Sequence, residues 1–416
     1  MSLLDLLKKR GLIEALTHEE MGEALKKPQS VYIGFDPTAD SLHLGNLIGL
    51  IALRWFQKFG HRPVALVGGA TGRIGDPSGK SKERPMLQDE EISLNVEAIS
   101  RQIRAILPPQ GGELKVLNNN DWLSKVFLID FLRDVGKHFR IGAMLGKESV
   151  RMRLDSEEGM SFTEFSYQLL QGYDFVHLSR NHQVRFQMGG SDQWTNITAG
   201  IELNRRLGGE PIYGLTFPLL TRSDGKKFGK SEGGAIWLSK DKLSCYEFYQ
   251  YLLRLPDADM EKMLRMLTFL EMEEIEEIVA SMQRKGYVPN SAQKRLALEV
   301  TGFVHGEAGV AEALAVTEKV QGPLSSDGLS ELQASMPSVS LSQEEIVGGR
   351  ASDLLAKAGL TESKGEAARL IKNGGASLNQ KRIEDPNQII QASDLIDGKF
   401  LLLSQGKKKK ILVVVC

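Results

Sequence analysis

The sequence predicts an α/β domain built on a parallel sheet, followed by an all-α domain and a small basic α+β module. Three observations predict it. From Ser30 to about Leu238, short apolar or β-branched runs alternate with helical patterns. From about Lys240 to Gln321 the strand signals vanish and helical periodicity takes over. Between Arg350 and Cys416 the chain carries 12 Lys plus Arg against 7 Asp plus Glu. The expected boundaries are 1–238 for the α/β domain, 239–321 for the helical one, 322–349 for a linker and 350–416 for the basic module.

In the first domain the strand runs are VYIGF, PVALVGG, LKVLNN, VRFQMGG and GLTFPLL, with a helix after the first that runs to Phe59. Strands alternating with helices argue for a parallel sheet covered on both faces, whose ligands gather at the carboxyl ends of the strands. The helical domain reads from MEKMLRMLTFLEMEEIEEIVASMQRK and AQKRLALEVTGFVHGEAGVAEALAVTEK. The stretch GPLSSDGLSELQASMPSVSLSQ is rich in Ser, Gly and Pro, the composition of a linker with at most a short ordered part. The last module reads as helices SDLLAKAGL and KGEAARLIKNGG, then strands ASLNQ, KFLLLSQ and KKKKILVVV.

At 416 residues the chain exceeds one ordinary core, and 41% hydrophobic with 25% charged residues is a soluble globular composition. The start, MSLLDLLKKRGLIEAL, lacks the parts of a signal peptide, and no apolar run is long enough to span a bilayer, so a cytoplasmic protein is expected. Two cysteines exclude a disulfide framework or a Cys-rich zinc site within one chain. A formal net charge of −1 excludes a globally basic nucleic-acid binder and leaves any RNA contact to a local patch.

The segment VYIGFDPTADSLHLGNLIGLIALRWFQKFG passes from a strand into a helix, read as capped by Asp40 or Ser41 and ended by Gly60. His43 then falls in the first turn, where free backbone N–H groups favour phosphate, and Gly45 lets a nucleotide approach the backbone. Alone, such an HxG is better read as an ordinary capping region than as a nucleotide site. The second motif, SDGKKFGKSEGG, sets Lys227 and Lys230 three residues apart in a glycine-rich loop, where two ammonium groups can close over a triphosphate. On its own that is a solvated turn. SFTEFSYQLLQGYDF opens with Ser161 and Glu164 as a capping box, and its Tyr167, Gln171 and Asp174 share one helix face. In isolation this is a solvent stripe; among Phe162, Phe165, Leu169, Leu170 and Phe175 it is better turned into a pocket. GGATGRIGDPSGKS is glycine-rich without the Walker-A spacing, so a P-loop is disfavoured.

HLGN and KFGKS, in that order around a parallel-sheet core, resemble the HIGH and KMSKS signatures of class I aminoacyl-tRNA synthetases, with a Rossmann-like catalytic domain. More narrowly, YIGFDPTADSLHLGN, GGATGRIGDPSGKS, SFTEFSYQLLQGYDF, GGSDQW and KFGKS resemble the bacterial tyrosyl-tRNA synthetase pattern across essentially the whole chain. The resemblance implies activation of L-tyrosine by ATP to tyrosyl-adenylate and pyrophosphate, then transfer to the 3′ end of tyrosine tRNA. It puts Tyr167, Gln171 and Asp76 on the substrate ammonium, Tyr32 and Asp174 on its phenolic hydroxyl, and Gln193 near its carboxylate. ATP falls to Gly34, Asp36, His43, Gly45, Asn46, Gly190, Asp192, Lys227 and Lys230. Thr38, His43, Asn46, Lys80, Arg84, Lys227 and Lys230 are the implied catalytic set, with Lys80 and Arg84 on a loop near the pyrophosphate. Mg²⁺ is expected with ATP as substrate, and no protein-held metal.

Two positions depart from the general signatures: Asn46 stands where HIGH has its second histidine, and Phe228 where KMSKS has methionine. The carboxy-terminal module resembles the S-four type RNA-binding fold, with Arg350, Lys364, Arg369, Lys372, Lys381 and Arg382 as candidate phosphate contacts. The family pattern also implies a homodimer, with 131–140 in the interface, and no membrane partner. Competing readings are a tryptophanyl enzyme of the same fold, a small-molecule adenylating ligase, and a non-enzymatic RNA-binding protein. The retained Tyr32, His43, Asp174, Lys227 and Lys230 and the basic tail favour the tyrosyl enzyme.

Overall fold

The computed structural model describes residues 1–416 apart from 80–85, 110–112, 156, 158, 222, 224–227, 232–233, 334 and 407–408, and of Glu148, Ser149, Lys230 and Ser231 it describes the backbone alone. The described chain packs as two units, Met1–Ser239 with Ala258–Tyr287, and Lys240–Asp257 with Val288–Cys416.

The first unit is organised by a six-stranded sheet: β1 (Ala15–Leu16), β2 (Ser30–Phe35), β3 (Arg62–Val67), β4 (Lys115–Asn118), β5 (Val184–Gly190) and β6 (Tyr213–Phe217), in the order β1-β6-β5-β2-β3-β4. All neighbours from β6 to β4 are parallel, and β1 closes one edge antiparallel. Parallel strands covered on both faces need apolar residues at successive positions. VYIGF in β2 and PVALV in β3 supply them, with only Gly34 exposed. Helices Leu44–Lys58 and Asp89–Ile106 form the crossovers on one side of β2, while Phe162–His182 and Trp194–Arg206 lead into and out of β5. Chain order therefore reverses between β2 and β5, and a cleft opens at the carboxyl ends of that strand pair.

The expected helical domain 239–321 is not one packing unit. Ala258–Tyr287 belongs with the sheet, while 240–257 and 288–321 belong to the second unit. The reason is a long-range contact: the Arg10 guanidinium lies over the Trp55 ring at 4.4 Å and donates to the carbonyls of Arg265, Thr268 and Leu270, clamping helix Met260–Leu267. Periodicity identifies helices but not what they pack against.

In the second unit β9 (Ser338–Leu341), β10 (Ala376–Leu378), β11 (Lys381–Arg382), β12 (Phe400–Gln405) and β13 (Lys409–Val415) form a sheet in the order β11-β10-β12-β13-β9. Helices Ala351–Lys357 and Lys364–Lys372 pack on it through Leu354, Leu355, Ala367 and Ile371. The expected linker 322–349 is corrected here. It contains helix Ser326–Leu332, strand β9 paired parallel with β13, and helix Gln343–Ile346. Leu329, Leu332 and Met336, spaced by three and four residues, bury against Val316, Phe400, Leu402 and Leu412, a helical spacing that the Ser, Gly and Pro content masks. Among the described residues no helix is long and apolar enough to cross a membrane.

Candidate active site

The cleft at the β2–β5 switch is a cavity of about 510 Å³. It is lined by Tyr32, Gly34, Asp36, Thr38, His43, Gly45, Asn46, Asp76, Tyr167, Gln171, Asp174, Gly190, Asp192 and Gln193, so residues far apart in the sequence meet in one place. Lys80, Arg84 and Lys227 lie outside the described residues; the backbone of Lys230 opens a two-stranded ribbon, β7 (Lys230–Ser231) with β8 (Gly234–Ala235).

Helix Leu44–Lys58 is capped by His43 itself, not by Asp40 or Ser41. The His43 Nδ1 accepts the Gly45 N–H at 3.1 Å, and the His43 N–H donates to Asn46 Oδ1 at 3.0 Å. Ser41 is unavailable as a cap because its hydroxyl donates to the Leu42 carbonyl and accepts from the Ser239 N–H. A Cβ on residue 45 would come within 2.9 Å of His43 Cε1, so glycine there lets the imidazole fold back over its own helix. The two signature motifs adjoin: Leu44 N–H donates to the Ile236 carbonyl, Leu238 N–H to the Leu42 carbonyl, and Ile236 N–H to the Gly229 carbonyl. Gly229, at φ +85°, presses within 3.1 Å of Leu44 where its Cβ would be, and Phe228 is buried beside it.

At the other end of the cavity lies a buried polar floor. Asp174 accepts from Trp122 Nε1 at 2.7 Å and from Asn119 Nδ2 at 2.9 Å. Asn119 also donates to Thr71 Oγ1, Thr71 to Asp36 Oδ1, and Tyr167 Oη to Asp36 Oδ2, so one chain of hydrogen bonds runs from Asp174 to Tyr167. Tyr32 Oη is buried with no hydrogen-bond partner among the described residues. Burial raises its pKa well above the ordinary phenol value, with the Asp174 charge adding to the effect. Such an orphaned hydroxyl is costly unless a ligand completes it.

Nearer the mouth, Asp76 Oδ2 accepts from Gln193 Nε2 at 2.7 Å, and Asp76 Oδ1 from the Ser78 N–H at 2.9 Å. Asn196 Nδ2 donates to Gln171 Oε1 at 2.9 Å, and Gln171 Nε2 to Gln193 Oε1 at 3.2 Å. Asp76, Gln171 and Gln193 thus form one acidic, amide-lined corner. Glu164 is drawn away from a reciprocal box: Ser161 caps its N–H, but its carboxylate takes the Arg153 guanidinium at 2.8 Å, both side chains 2% exposed. Asn119, Trp122, Asn196 and Thr71 are the site residues that the sequence reading missed. The signal for the first two was present in LKVLNNNDW, a polar run just past a parallel strand.

Burial pushes Asp174 up from the ordinary 3.8 to about 7; the bonds from Asn119 and Trp122 oppose this and the Asp36 charge reinforces it. The folded state therefore holds a proton on Asp174 to higher pH than the unfolded chain, and stability falls as pH rises through that window. Relative to Asp174→Asn, the wild type is expected to lose on the order of 2 kcal/mol between about pH 5 and pH 8. Urea unfolding followed by tryptophan fluorescence measures it in this unit, since all four tryptophans, Trp55, Trp122, Trp194 and Trp237, lie there. Parallel pH curves for the two proteins would remove Asp174 as the cause.

Arg350, Lys364, Arg369, Lys372, Lys381 and Arg382 are all exposed on the two helices and edge strand β11 of the second unit. Lys364 pairs with Asp353 at 3.1 Å.

The sequence matches the family model of tRNA synthetases class I (W and Y) over residues 24–321, and the chain belongs to that class of synthetases. A second model, the tyrosine–tRNA ligase SYY-like C-terminal domain, matches residues 328–413. Within the class the chain belongs to the tyrosine–tRNA ligase family. It is 54% identical to the tyrosine–tRNA ligase of Protochlamydia amoebophila over 99% of this chain and 98% of that protein. It is 49% identical to the chloroplastic/mitochondrial tyrosine–tRNA ligase of Arabidopsis thaliana, covering 99% of this chain and 83% of that one. Among solved structures, a C-terminally truncated mitochondrial tyrosyl-tRNA synthetase of Aspergillus nidulans superposes with a TM-score of 0.67 at 32% identity, covering 75% of this chain and 92% of that one.

Proposed function

We propose that this chain joins L-tyrosine to the α-phosphate of ATP and passes the tyrosyl group to the 3′ end of tyrosine tRNA. The observation that carries the choice of amino acid is the buried floor, where Tyr32 Oη has no partner among the described residues and Asp174 faces the same cavity. A phenolic hydroxyl entering there completes both groups. Phenylalanine leaves them unsatisfied, an effect for which tyrosyl-tRNA synthetases are the standard case.

In this reading the tyrosine ring lies along β2, its hydroxyl between Tyr32 and Asp174 and its ammonium against Asp76, Tyr167 and Gln171. Gln193 meets the carboxylate. ATP lies across Gly34, Asp36, Gly45, Asn46, Gly190 and Asp192; among the described residues a Cβ at Gly34 would meet nothing within 4 Å, which leaves room for a ligand against the backbone. The substrate carboxylate is ionised at neutral pH and needs no general base. It attacks the α-phosphorus in line, and pyrophosphate leaves on the opposite side. His43 Nδ1 is occupied as an acceptor, so the proton of the neutral ring sits on Nε2 and is the donor offered to phosphate. Asn46 spends Oδ1 on the His43 N–H, which leaves its Nδ2 donors for the ribose or phosphate, work that needs no charge. Thr38, Lys80, Arg84, Lys227 and Lys230 add donors where charge builds on the leaving group. Magnesium enters with ATP, held by phosphate oxygens and water.

The exposed basic residues of the second unit, Arg350 to Arg382, contact tRNA phosphates, so tRNA binding weakens with salt. The active form is a homodimer. Phe127, Leu128, Ile129, Leu132, Ile141 and Leu145, all exposed around helix Leu128–Asp134, support an apolar surface there, whereas Phe131 and Phe139 pack inward. Its place of work is the cytoplasm, where tRNA and ATP meet the translating ribosome.

ATP–pyrophosphate exchange with tyrosine, phenylalanine and tryptophan in turn tests the reading. Exchange with tyrosine alone is expected. Exchange with tryptophan would transfer the chain to the other branch of its class, and exchange with none of the three would remove the ligase activity.

A further inference from the structure

Trp122 supplies one of the two hydrogen bonds that hold Asp174, yet it sits on a helix of a single turn, Asn120–Leu123, after edge strand β4. One turn of helix has little stability of its own, so the indole has to be held by something else. What holds it comes from the helix Phe162–His182. His177, three residues after Asp174, lays its imidazole parallel to the Trp122 rings, with centroids 4.3 Å apart and 13° between planes. Residues three apart on a helix are neighbours on one face, so the same helix grips the indole twice, at its N–H edge through Asp174 and on its flat face through His177.

We propose that His177 is a positioning residue for tyrosine recognition, its ring fixing the indole whose N–H aims the Asp174 carboxylate at the substrate hydroxyl. This rests on the tyrosine–tRNA ligase reading. Around the imidazole stand His182, with its centroid 6.0 Å from His177 and 6.4 Å from Trp122, and Tyr173 at 6.3 Å. Asn181 Nδ2 lies 3.3 Å from the imidazole Nδ1 of His177 and donates to the His177 carbonyl at 3.0 Å, and Lys115 acts on His182. Burial, followed by the neighbouring His182, holds His177 below the ordinary histidine range, so the ring is neutral at neutral pH. A neutral ring contributes its flat face and no charge. Phenylalanine can then take its place, and a side chain without a ring cannot.

Steady-state ATP–pyrophosphate exchange on the full chain tests this with His177→Ala and His177→Phe. In His177→Ala the KM for tyrosine is expected to rise roughly threefold to tenfold, the size of one aromatic pair contact, with kcat and the KM for ATP little changed. His177→Phe restores the tyrosine KM to within about twofold, because the pair contact is regained. An unchanged tyrosine KM in His177→Ala, or a phenylalanine variant as impaired as the alanine one, overturns the proposal. Should the alanine chain fail to fold, His177→Leu fills the volume without a ring and carries the same comparison. Wild-type chain silent with tyrosine would overturn the ligase reading itself, which separates the two failures.

Discussion

Above about pH 7, where its carboxylate is ionised, Asp174→Ala is expected to lower kcat/KM for tyrosine by about two powers of ten, since a hydrogen bond to a buried charged acceptor is worth about 1.5–3 kcal/mol and the floor loses its shape as well. Three donors converge on this carboxylate: Trp122 Nε1, Asn119 Nδ2 and, in the proposed complex, the substrate hydroxyl. Without it the two protein donors turn to other partners or admit water, and the floor stops distinguishing a phenol from a bare ring. The loss should therefore be steep for tyrosine and slight for phenylalanine, so the ratio of the two kcat/KM values collapses. Exchange kinetics with both amino acids measure it, and a fall of less than about tenfold for tyrosine would show that the hydroxyl finds its acceptor elsewhere.

The second large effect concerns the fold. Arg153 and Glu164 make a two-point ion pair, Nε to Oε1 at 3.1 Å and Nη2 to Oε2 at 2.8 Å, with both side chains 2% exposed. Removing one partner strands a charge in the interior, so Arg153→Ala should cost about 3–5 kcal/mol of stability, visible as a large drop in the urea midpoint of tryptophan fluorescence. Arg153→Met with Glu164→Leu, which removes both charges and keeps volume, should recover most of that loss. If the double variant is no more stable than the single one, packing by the guanidinium rather than its charge is what matters there. Glu164 lies one turn before Tyr167, so the single variant should also bind tyrosine more weakly.

Which features were legible in the sequence follows from the range of the physics behind them. Tyr167, Gln171 and Asp174 could be placed on one face because helical spacing is local, and the strands of the parallel sheet could be read because burial on both faces demands continuous apolar runs. Asn119 and Trp122 were not read as site residues, because only the order of strands in the sheet brings the end of β4 toward Asp174. Sequence spacing places His43 in the first turn and not at the cap, since histidine is an uncommon cap and its folding back depends on the missing Cβ of Gly45. The split of the helical stretch at 258–287 depends on three carbonyls meeting one arginine near the start of the chain, a contact with no local trace.

Strand β9 has one neighbour in its sheet, β13, and the register pairs Ser338 with Leu412 and Leu341 with Val415. On a ribosome these partners emerge far apart in time. Residues 338–341 leave the tunnel well before 412–415 are joined to the chain, and until then their edge is open to other strands. The catalytic fold can mature during synthesis, as amino-terminal domains generally do, but the sheet of the second unit closes only when its last strand is released. A nascent chain stalled shortly before residue 412 would thus carry a finished first unit and an unfinished second one, exposed to aggregation through the unpaired strand.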